Sequence, residues 1–229
     1  MKLGLKPRLC RENGNLSILY SLFFIFFLVL PACAGNISTH AFDSGMNCKG
    51  IWKLPDTGQT TCYNATTSIA CPAAGAAFHG QDGSYTPSVI QPSYTITGPV
   101  GSSVTVDNRT GLMWITKPVT EAGFVSSQTW QSALSSCAVT MNAVSYAGYA
   151  DWRLPNAREL VSIMNYNTTP LAVDTTYFPE TVLSLYWTSS TNYGSYSQAW
   201  TVYAGYGSTY AYSKSTLCHV RCVRGGSGY

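Results

Sequence analysis

Charged residues are scarce in this sequence. Among 229 residues there are 13 Lys and Arg and 10 Asp and Glu, so charged side chains make up 10% of the chain, against roughly 25% in an ordinary soluble protein. Ser, Thr, Asn, Gly and 16 Tyr have to supply the polar surface instead. This composition is typical of a protein that leaves the cytoplasm, and a chain of this length buries one main core.

A net basic charge is also lacking from most of the chain. The formal net charge is +3, but Lys2, Lys6, Arg8 and Arg11, with Glu12, precede an apolar run, and the remainder holds nine basic and nine acidic residues. Proteins that bind nucleic acid or another polyanion need a basic face. The neutral remainder argues against a nucleic acid partner, although a local patch such as Arg221 with Arg224 stays open.

No apolar run reaches the length of about 20 residues that a membrane-spanning helix needs. The run from Leu16 to Leu30 has 15 residues and follows a basic start, which predicts a signal peptide over residues 1–34. "LPAC" at 30–33 fits a bacterial lipobox, in which Cys33 is diacylated and anchors an outer-membrane or periplasmic lipoprotein. Cleavage after Ala34, which would release a secreted protein, is the alternative; we favour the lipoprotein.

The cysteines and histidines also lack the spacing that metal ligands usually have. An even number of cysteines in an exported protein predicts three disulfides, and sequence alone does not choose among the pairings that six cysteines allow. Zinc is the competing interpretation, but there is no Cys-x-x-Cys pair and His219 sits directly beside Cys218. We therefore expect neither a metal nor a cofactor. The six cysteines that follow the signal peptide are Cys48, Cys62, Cys71, Cys137, Cys218 and Cys222.

Residues 35–100 are rich in Gly, Pro, Ser and Thr and show no sustained period, which predicts a loop-rich lead-in held by disulfides. Regular patterns begin after it. Strands are predicted at 104–106 and 112–115, around an Asp-Asn-Arg-Thr-Gly turn. The next segment predicts a helix with Ser126 or Ser127 as its N-cap. Its apolar stripe consists of Trp130, Ala133, Leu134 and Cys137.

The stretch "DWRLPNAREL" at 151–160 concentrates polar residues and invites interpretation as a catalytic or metal site. Asn156 and Glu159, however, have the spacing of a capping box, and Leu160, Ile163 and Met164 follow as the apolar stripe of a helix. Pro155 blocks extension of that helix toward the N-terminus. The charged residues then remain as ion-pair partners, and we predict a structural corner. They are Asp151, Arg153 and Arg158.

The C-terminal third predicts two further strands with a hairpin between them. "SLYWTSSTN" is rich in strand-forming residues, and "QAWTVYAGYGSTYAYSK" forms two arms around the turn at 205–208. In the first arm, alternation puts Trp200 and Val202 on one face and Tyr203 on the other. In the closing "LCHVRCVR", the same alternation puts Cys218, Val220 and Cys222 on one face.

Five ordered motifs, "DNRTGLMW", "TW..AL..C", "GYADWRLPNAREL", "YWTSS" and "RCVR", together resemble the C-terminal domain family of the Lcl collagen-like bacterial adhesin. The resemblance covers about residues 104–225, so the domain is placed at 101–226. "LPDTGQTTCYN" and "GQD" resemble the lead-in of such proteins.

The resemblance implies an α+β, C-type-lectin-like fold in which two helices flank a small mixed antiparallel sheet and the termini come together. In that fold group a disulfide joins the first helix to the last strand, which implies the pair Cys137–Cys222. The other two pairs are then Cys62–Cys71 and Cys48–Cys218. Some family features are missing: neither Glu-Pro-Asn nor Trp-Asn-Asp occurs, which leaves no calcium cage, and there is no collagen-like Gly-x-y stalk.

These observations favour a non-catalytic binding or adhesion module of the cell envelope that recognises a glycan or a surface protein. Tyrosine supplies a rigid ring and a hydroxyl, so an exposed tyrosine surface on the hairpin and the preceding loop is the candidate site. An alternative without a binding role also stays open, in which the tyrosines only keep a charge-poor sheet soluble. The candidate residues are Tyr193, Tyr196, Tyr203, Tyr206 and Tyr210.

An envelope enzyme, either a hydrolase or an oxidoreductase, is the alternative, and a purely structural envelope role is a third. Hydrolysis needs paired carboxylates or a nucleophile with a base. His40, His79 and His219 are the three histidines, and none lies in a supporting motif. The sequence therefore predicts a protein without catalytic activity.

Overall fold

Most of the regular secondary structure in this α+β fold lies in small antiparallel sheets. A computed structural model of the chain describes residues 55–85 and 91–225. The predicted signal peptide with Cys33, and also His40 and Cys48, lie outside these ranges. The described residues belong to one unit, Trp52–Tyr229. Within the described ranges, no helix has both the length and the apolar character to cross a membrane.

Nine strands form three sheets in the described part of the chain. β1 and β2 form a two-stranded sheet, β3, β4, β5 and β9 a four-stranded one in that order, and β6, β7 and β8 a three-stranded one. All the strand pairs are antiparallel. The bounds are β1 Cys62–Tyr63, β2 Ser68–Ile69, β3 Tyr94–Thr97, β4 Val104–Asp107, β5 Met113–Ile115, β6 Leu185–Thr191, β7 Gln198–Tyr203, β8 Thr209–Ser213 and β9 Val223–Arg224.

The predicted turn between β4 and β5 is built around Asp107. This carboxylate is 1% exposed, but it accepts hydrogen bonds from the backbone N–H of Arg109 at 2.8 Å and the hydroxyl of Thr110 at 2.7 Å. Gly111 has a φ of +72°, which a residue with a side chain rarely adopts. The local turn chemistry thus holds the two strands in register.

The first predicted helix forms, with a different N-cap. α1 spans Trp130–Ser135, continues through a π-helical turn at Ser136–Thr140, and is followed by α2 at Met141–Ala143. The cap is Thr129, whose hydroxyl accepts from the backbone N–H of Ser132 at 3.4 Å, so the prediction of Ser126 or Ser127 is wrong. Gln128 is held extended by two backbone hydrogen bonds to Cys218, which prevents an earlier start.

The capping box at Asn156 is confirmed. Its side chain accepts from the backbone N–H of Glu159 at 2.9 Å, and the Glu159 carboxylate accepts from the backbone N–H of Asn156 at 2.8 Å. The resulting helix, α3, spans only Ala157–Val161. Leu160, Ile163 and Met164 are nevertheless all buried, because the chain continues in turns that keep the same side toward the core.

Two apolar clusters fill the core. The first contains Trp152 and Trp187 beside the helical segment, and the second contains Trp114, Phe178 and Leu160. The closing segment divides its side chains between them, as the alternation predicts. Cys218, Val220 and Cys222 lie in the first cluster, and Val223 lies in the second.

Two disulfides, Cys62–Cys71 and Cys137–Cys222, are present in the described residues, with S–S distances of 2.04 and 1.96 Å. The second ties the π-helical turn to the closing segment. The third expected pair, Cys48–Cys218, involves Cys48, which lies outside the described residues; Cys218 is a free cysteine in the structure. It is 1% exposed and packs in the first apolar cluster as a small hydrophobic residue.

We predict that Asn156→Ala lowers the free energy of unfolding by about 1 kcal/mol, because the mutation removes the side chain that caps α3. Asn156→Ser keeps an oxygen that accepts a hydrogen bond, and should lose only a fraction of that amount. Urea unfolding of both variants measures the difference. Equal losses would contradict a capping role.

Removal of the Cys137–Cys222 disulfide by a double Ala substitution should cost about 4 kcal/mol, because it closes a loop with a sequence separation of 85 residues. The Cys62–Cys71 pair has a separation of 9, so the matching double substitution should cost about 2 kcal/mol less. Guanidinium unfolding under oxidising conditions measures both losses. A larger loss for the short loop would refute this ranking.

Candidate binding surfaces

Four of the five candidate tyrosines are well exposed. Tyr193 is 89% exposed, Tyr196 76%, Tyr206 69% and Tyr210 46%, whereas Tyr203 is half-buried. Exposed hydrophobic side chains that form a contiguous patch often mark a binding surface, whereas isolated ones are common. The sheet formed by β6, β7 and β8 therefore offers aromatic contact area to solvent.

The candidates do not form one cluster. Tyr193 and Tyr196 lie in the loop between β6 and β7, while Tyr206 lies in the turn between β7 and β8. These connections are at opposite ends of β7, whose six residues span roughly 17 Å at the usual rise of an antiparallel strand. The sequence suggested a single tyrosine surface, and the strand order separates it into two.

Tyr203 and Tyr206 pack together at the turn between β7 and β8, and the strand register places Tyr210 nearby in β8; we call the three residues the turn cluster. The rings of Tyr203 and Tyr206 have centroids 5.4 Å apart with a tilt of 51° between their planes. Tyr210 pairs with Thr201, two residues before Tyr203. Paired residues of antiparallel strands share a face, so Tyr203 and Tyr210 project from the same side of the sheet.

The turn that presents Tyr206 is closely packed. The backbone N–H of Gly207 donates to the carbonyl of Tyr203 at 2.8 Å, and Gly207 has a φ of +68°. A Cβ atom at Gly207 would lie 2.9 Å from the hydroxyl oxygen of Tyr166, and one at Gly205 would lie 2.6 Å from the ring of Tyr203. Both glycines are therefore needed for this packing, which limits the freedom of the turn cluster.

Tyr212 is an exposed aromatic residue that the candidate set omitted. It is 39% exposed and follows Tyr210 by two residues in β8, so the two rings lie on the same face. That alternation is visible in the sequence and could have found it. Trp200 lies on the opposite face, because it pairs with Ala211.

The sequence profile of the Lcl C-terminal domain family matches residues 103–224, which is just over half of the chain. The chain belongs to the Lcl C-terminal domain family. The matched part of this Lcl C-terminal domain runs from β4 to β9, whereas β1, β2 and β3 precede it. No curated protein sequence matches the chain.

The alternative basic patch in the Lcl C-terminal domain is not formed, because Arg221 is 2% exposed. Its guanidinium donates to the backbone carbonyls of Ile115 at 2.7 Å, Thr116 at 2.8 Å and Pro179 at 3.0 Å. Arg224 donates to both carboxylate oxygens of Asp151, at 2.6 and 3.1 Å. Its positive charge is therefore largely neutralised at the surface.

The corner of the Lcl C-terminal domain at 151–160 uses its polar residues in structural contacts. Arg153 donates to both oxygens of Glu159 at 2.7 Å, and also to the carbonyl of Gly225 at 3.2 Å. Trp152 is buried, and its indole N–H donates to the carbonyl of Tyr146 at 3.0 Å. The polar groups that resembled an active site in the sequence therefore hold the corner against the segment that ends at Gly225.

The two histidines among the described residues make a hydrogen-bond contact in the lead-in and a packing contact in the Lcl C-terminal domain. His79 places Nδ1 2.8 Å from the carbonyl of Pro72. Burial lowers the pKa of His219, whose ring packs 5.3 Å from that of Tyr186. No group of three or more His, Cys, Asp or Glu within these residues has the arrangement of a metal site.

Proposed function

We propose that this Lcl C-terminal domain is a non-catalytic binding and adhesion module of the bacterial cell envelope, and that it recognises a neutral glycan through the turn cluster. The supporting observation is that Tyr206 is 69% exposed while it packs against Tyr203. A ring held in place loses little conformational freedom when a ligand stacks on it.

The chemistry of the turn cluster suits a ligand with both apolar faces and hydroxyl groups. Tyrosine rings stack on the C–H faces of a sugar, and their hydroxyl groups donate and accept hydrogen bonds. Charge contributes little, because the residues that follow the N-terminal basic stretch are formally neutral and Arg221 is buried. We therefore expect the domain to recognise its ligand through direct contacts rather than through long-range electrostatic attraction.

We also propose that the fold is C-type-lectin-like. Two features support this kinship. β4 and β9, the first and last strands of the matched region, lie in one sheet with β5 between them. In addition, Cys137–Cys222 ties the helical segment to the closing segment, as the resemblance implies for this fold group.

Export to the envelope is part of the same proposal, and the lipobox at residues 30–33 supports it. We expect Cys33→Ser to move the protein from the membrane fraction to a soluble fraction, because the mutation removes the acceptor of the lipid. Fractionation and N-terminal sequencing measure this. Native protein that begins unacylated at Gly35 would contradict lipidation.

For the turn cluster, we predict that Tyr206→Ala combined with Tyr210→Ala weakens binding to a glycan selected on an array at least tenfold, or about 1.4 kcal/mol. The matched control is Tyr193→Ala with Tyr196→Ala, which removes two exposed tyrosines at the other end of β7 and should leave the affinity unchanged. Surface plasmon resonance with the immobilised glycan measures both.

Salt dependence separates this proposal from polyanion binding. Affinity at the turn cluster should change little between about 50 and 200 mM salt, whereas a site contacting 6 to 10 charges would lose roughly a thousandfold or more. A steep loss with salt, or a control variant as weak as the turn-cluster variant, would overturn the assignment.

A further inference from the structure

The two larger sheets end in four edge strands, and three of these edges are protected. β6 is bordered by the closing segment, to which the backbone N–H of Trp187 donates at 2.9 Å. β9 is bordered by the corner, where Arg153 and Val223 exchange two backbone hydrogen bonds. β3 has four residues and lies between Pro92 and Pro99, and proline at an edge hinders the addition of another strand. β8 is the remaining edge.

β8 is open to solvent and carries no charge. Its bounds are Thr209–Ser213, and each of its residues except Ala211 is exposed. None of the five is charged, and none is proline. A lysine at an edge often keeps other strands away, but the ammonium group of Lys214 lies 4.2 Å from the centroid of the Trp130 ring. The side chain of Lys214 is therefore turned toward α1 rather than out over the edge.

The pairing with β7 determines which backbone groups of β8 point outward. At the turn, the backbone N–H of Tyr203 donates to the carbonyl of Ser208 at 2.8 Å. Hydrogen-bonded pairs alternate along an antiparallel ladder, so Tyr210 also directs its backbone groups at β7. Thr209 and Ala211 direct theirs away from β7, and within the described part of the chain neither makes a backbone hydrogen bond to another segment. The edge thus presents two donors and two acceptors.

These open groups are complementary to those of a second copy of the strand. When two β8 strands run antiparallel with Tyr210 opposite its own counterpart, Thr209 of each copy lies opposite Ala211 of the other. Each such pair exchanges two hydrogen bonds. A two-fold axis then passes between the copies, as in most symmetric dimers, and every open backbone group of Thr209 and Ala211 has a partner.

The side chains suit the same register. Tyr210 is 46% exposed, and at the axis it occupies a pair without hydrogen bonds, in which side chains approach most closely. Opposed aromatic rings stabilise antiparallel strands, whereas opposed like charges destabilise them. Because β8 has no charged residue, a second copy meets no repulsion along the strand.

A second copy also loses less freedom on pairing than a flexible peptide does. An extended peptide can use the same backbone groups, but it has to be ordered as it binds. β8 is already held extended by its register with β7, from Thr209 opposite Val202 to Ser213 opposite Gln198. The edge therefore favours a copy of itself as its partner.

We propose that two copies of this chain associate through β8, so that the three-stranded sheets of both copies form one continuous antiparallel sheet. The new contacts are made edge to edge, so the turn that carries Tyr206 stays accessible in each copy. The dimer does not require a glycan, and glycan binding plays no part in its test.

The first test is sedimentation equilibrium of the disulfide-intact exported chain, which should show a reversible monomer–dimer equilibrium. Ala211→Pro should weaken association about tenfold or more, because it removes an outward N–H from each copy while an edge strand tolerates proline at such a position. Ile96→Pro is the matched control. Ile96 lies in β3 opposite Thr105, on the other exposed edge, and its substitution should leave association unchanged.

A second test does not depend on proline. Tyr210→Cys should form a disulfide-linked dimer on mild oxidation, because residues opposite each other in such a pair have Cα atoms about 4.5 Å apart, within the reach of a disulfide. Tyr196→Cys is the control, since Tyr196 is 76% exposed but lies in the loop between β6 and β7, away from the axis.

Three results would overturn the proposal. They are a monomer at every concentration, association of Ala211→Pro as strong as that of the unaltered chain, and equal cross-linking of the two cysteine variants. If Ala211→Pro lowers the melting temperature far more than Ile96→Pro does, the cross-linking comparison alone decides.

Discussion

The fold depends on the backbone pairing of one segment, residues 218–224, with four other parts of the chain. Each of these pairings satisfies backbone groups that would otherwise be buried without partners. The segment thereby fixes where α1 begins, how β6 lies, which strand borders β5, and how the corner at 151–160 is held. The bonds join Cys218 to Gln128, His219 to Leu185 and Trp187, Cys222 to Ile115, and Val223 to Arg153.

Arg221 adds a side-chain link from the middle of this segment. Besides three backbone carbonyls, its guanidinium reaches the hydroxyl of Thr181 at 3.1 Å, and it lies 5.5 Å from the ring of Phe178. Burial lowers the pKa of Arg221 to about 10, although the nearby Tyr186 and Glu180 oppose the shift, so the group remains charged at neutral pH. Loss of these acceptors would leave a buried cation without partners, which is costly. Arg221 therefore links β5, the loop before β6 and the closing segment.

Local patterns predicted the elements whose geometry is set by neighbours in sequence. The turn around Asp107, the capping box of Asn156 and the alternation of Cys218, Val220 and Cys222 are all of this kind. The start of α1 was missed because a distant residue, Cys218, holds Gln128 extended. Burial raises the pKa of the Cys218 thiol to about 11, so this side chain packs in the core as an apolar residue.

The lead-in meets the domain beside the turn cluster. The hydroxyl of Tyr166 lies against Gly207 in the turn that presents Tyr206. The backbone N–H of Tyr166 also donates to the carbonyl of Thr57 in the lead-in at 2.9 Å. One residue of the domain therefore contacts both the lead-in and the turn that presents Tyr206, which restricts the movement of that turn relative to the lead-in.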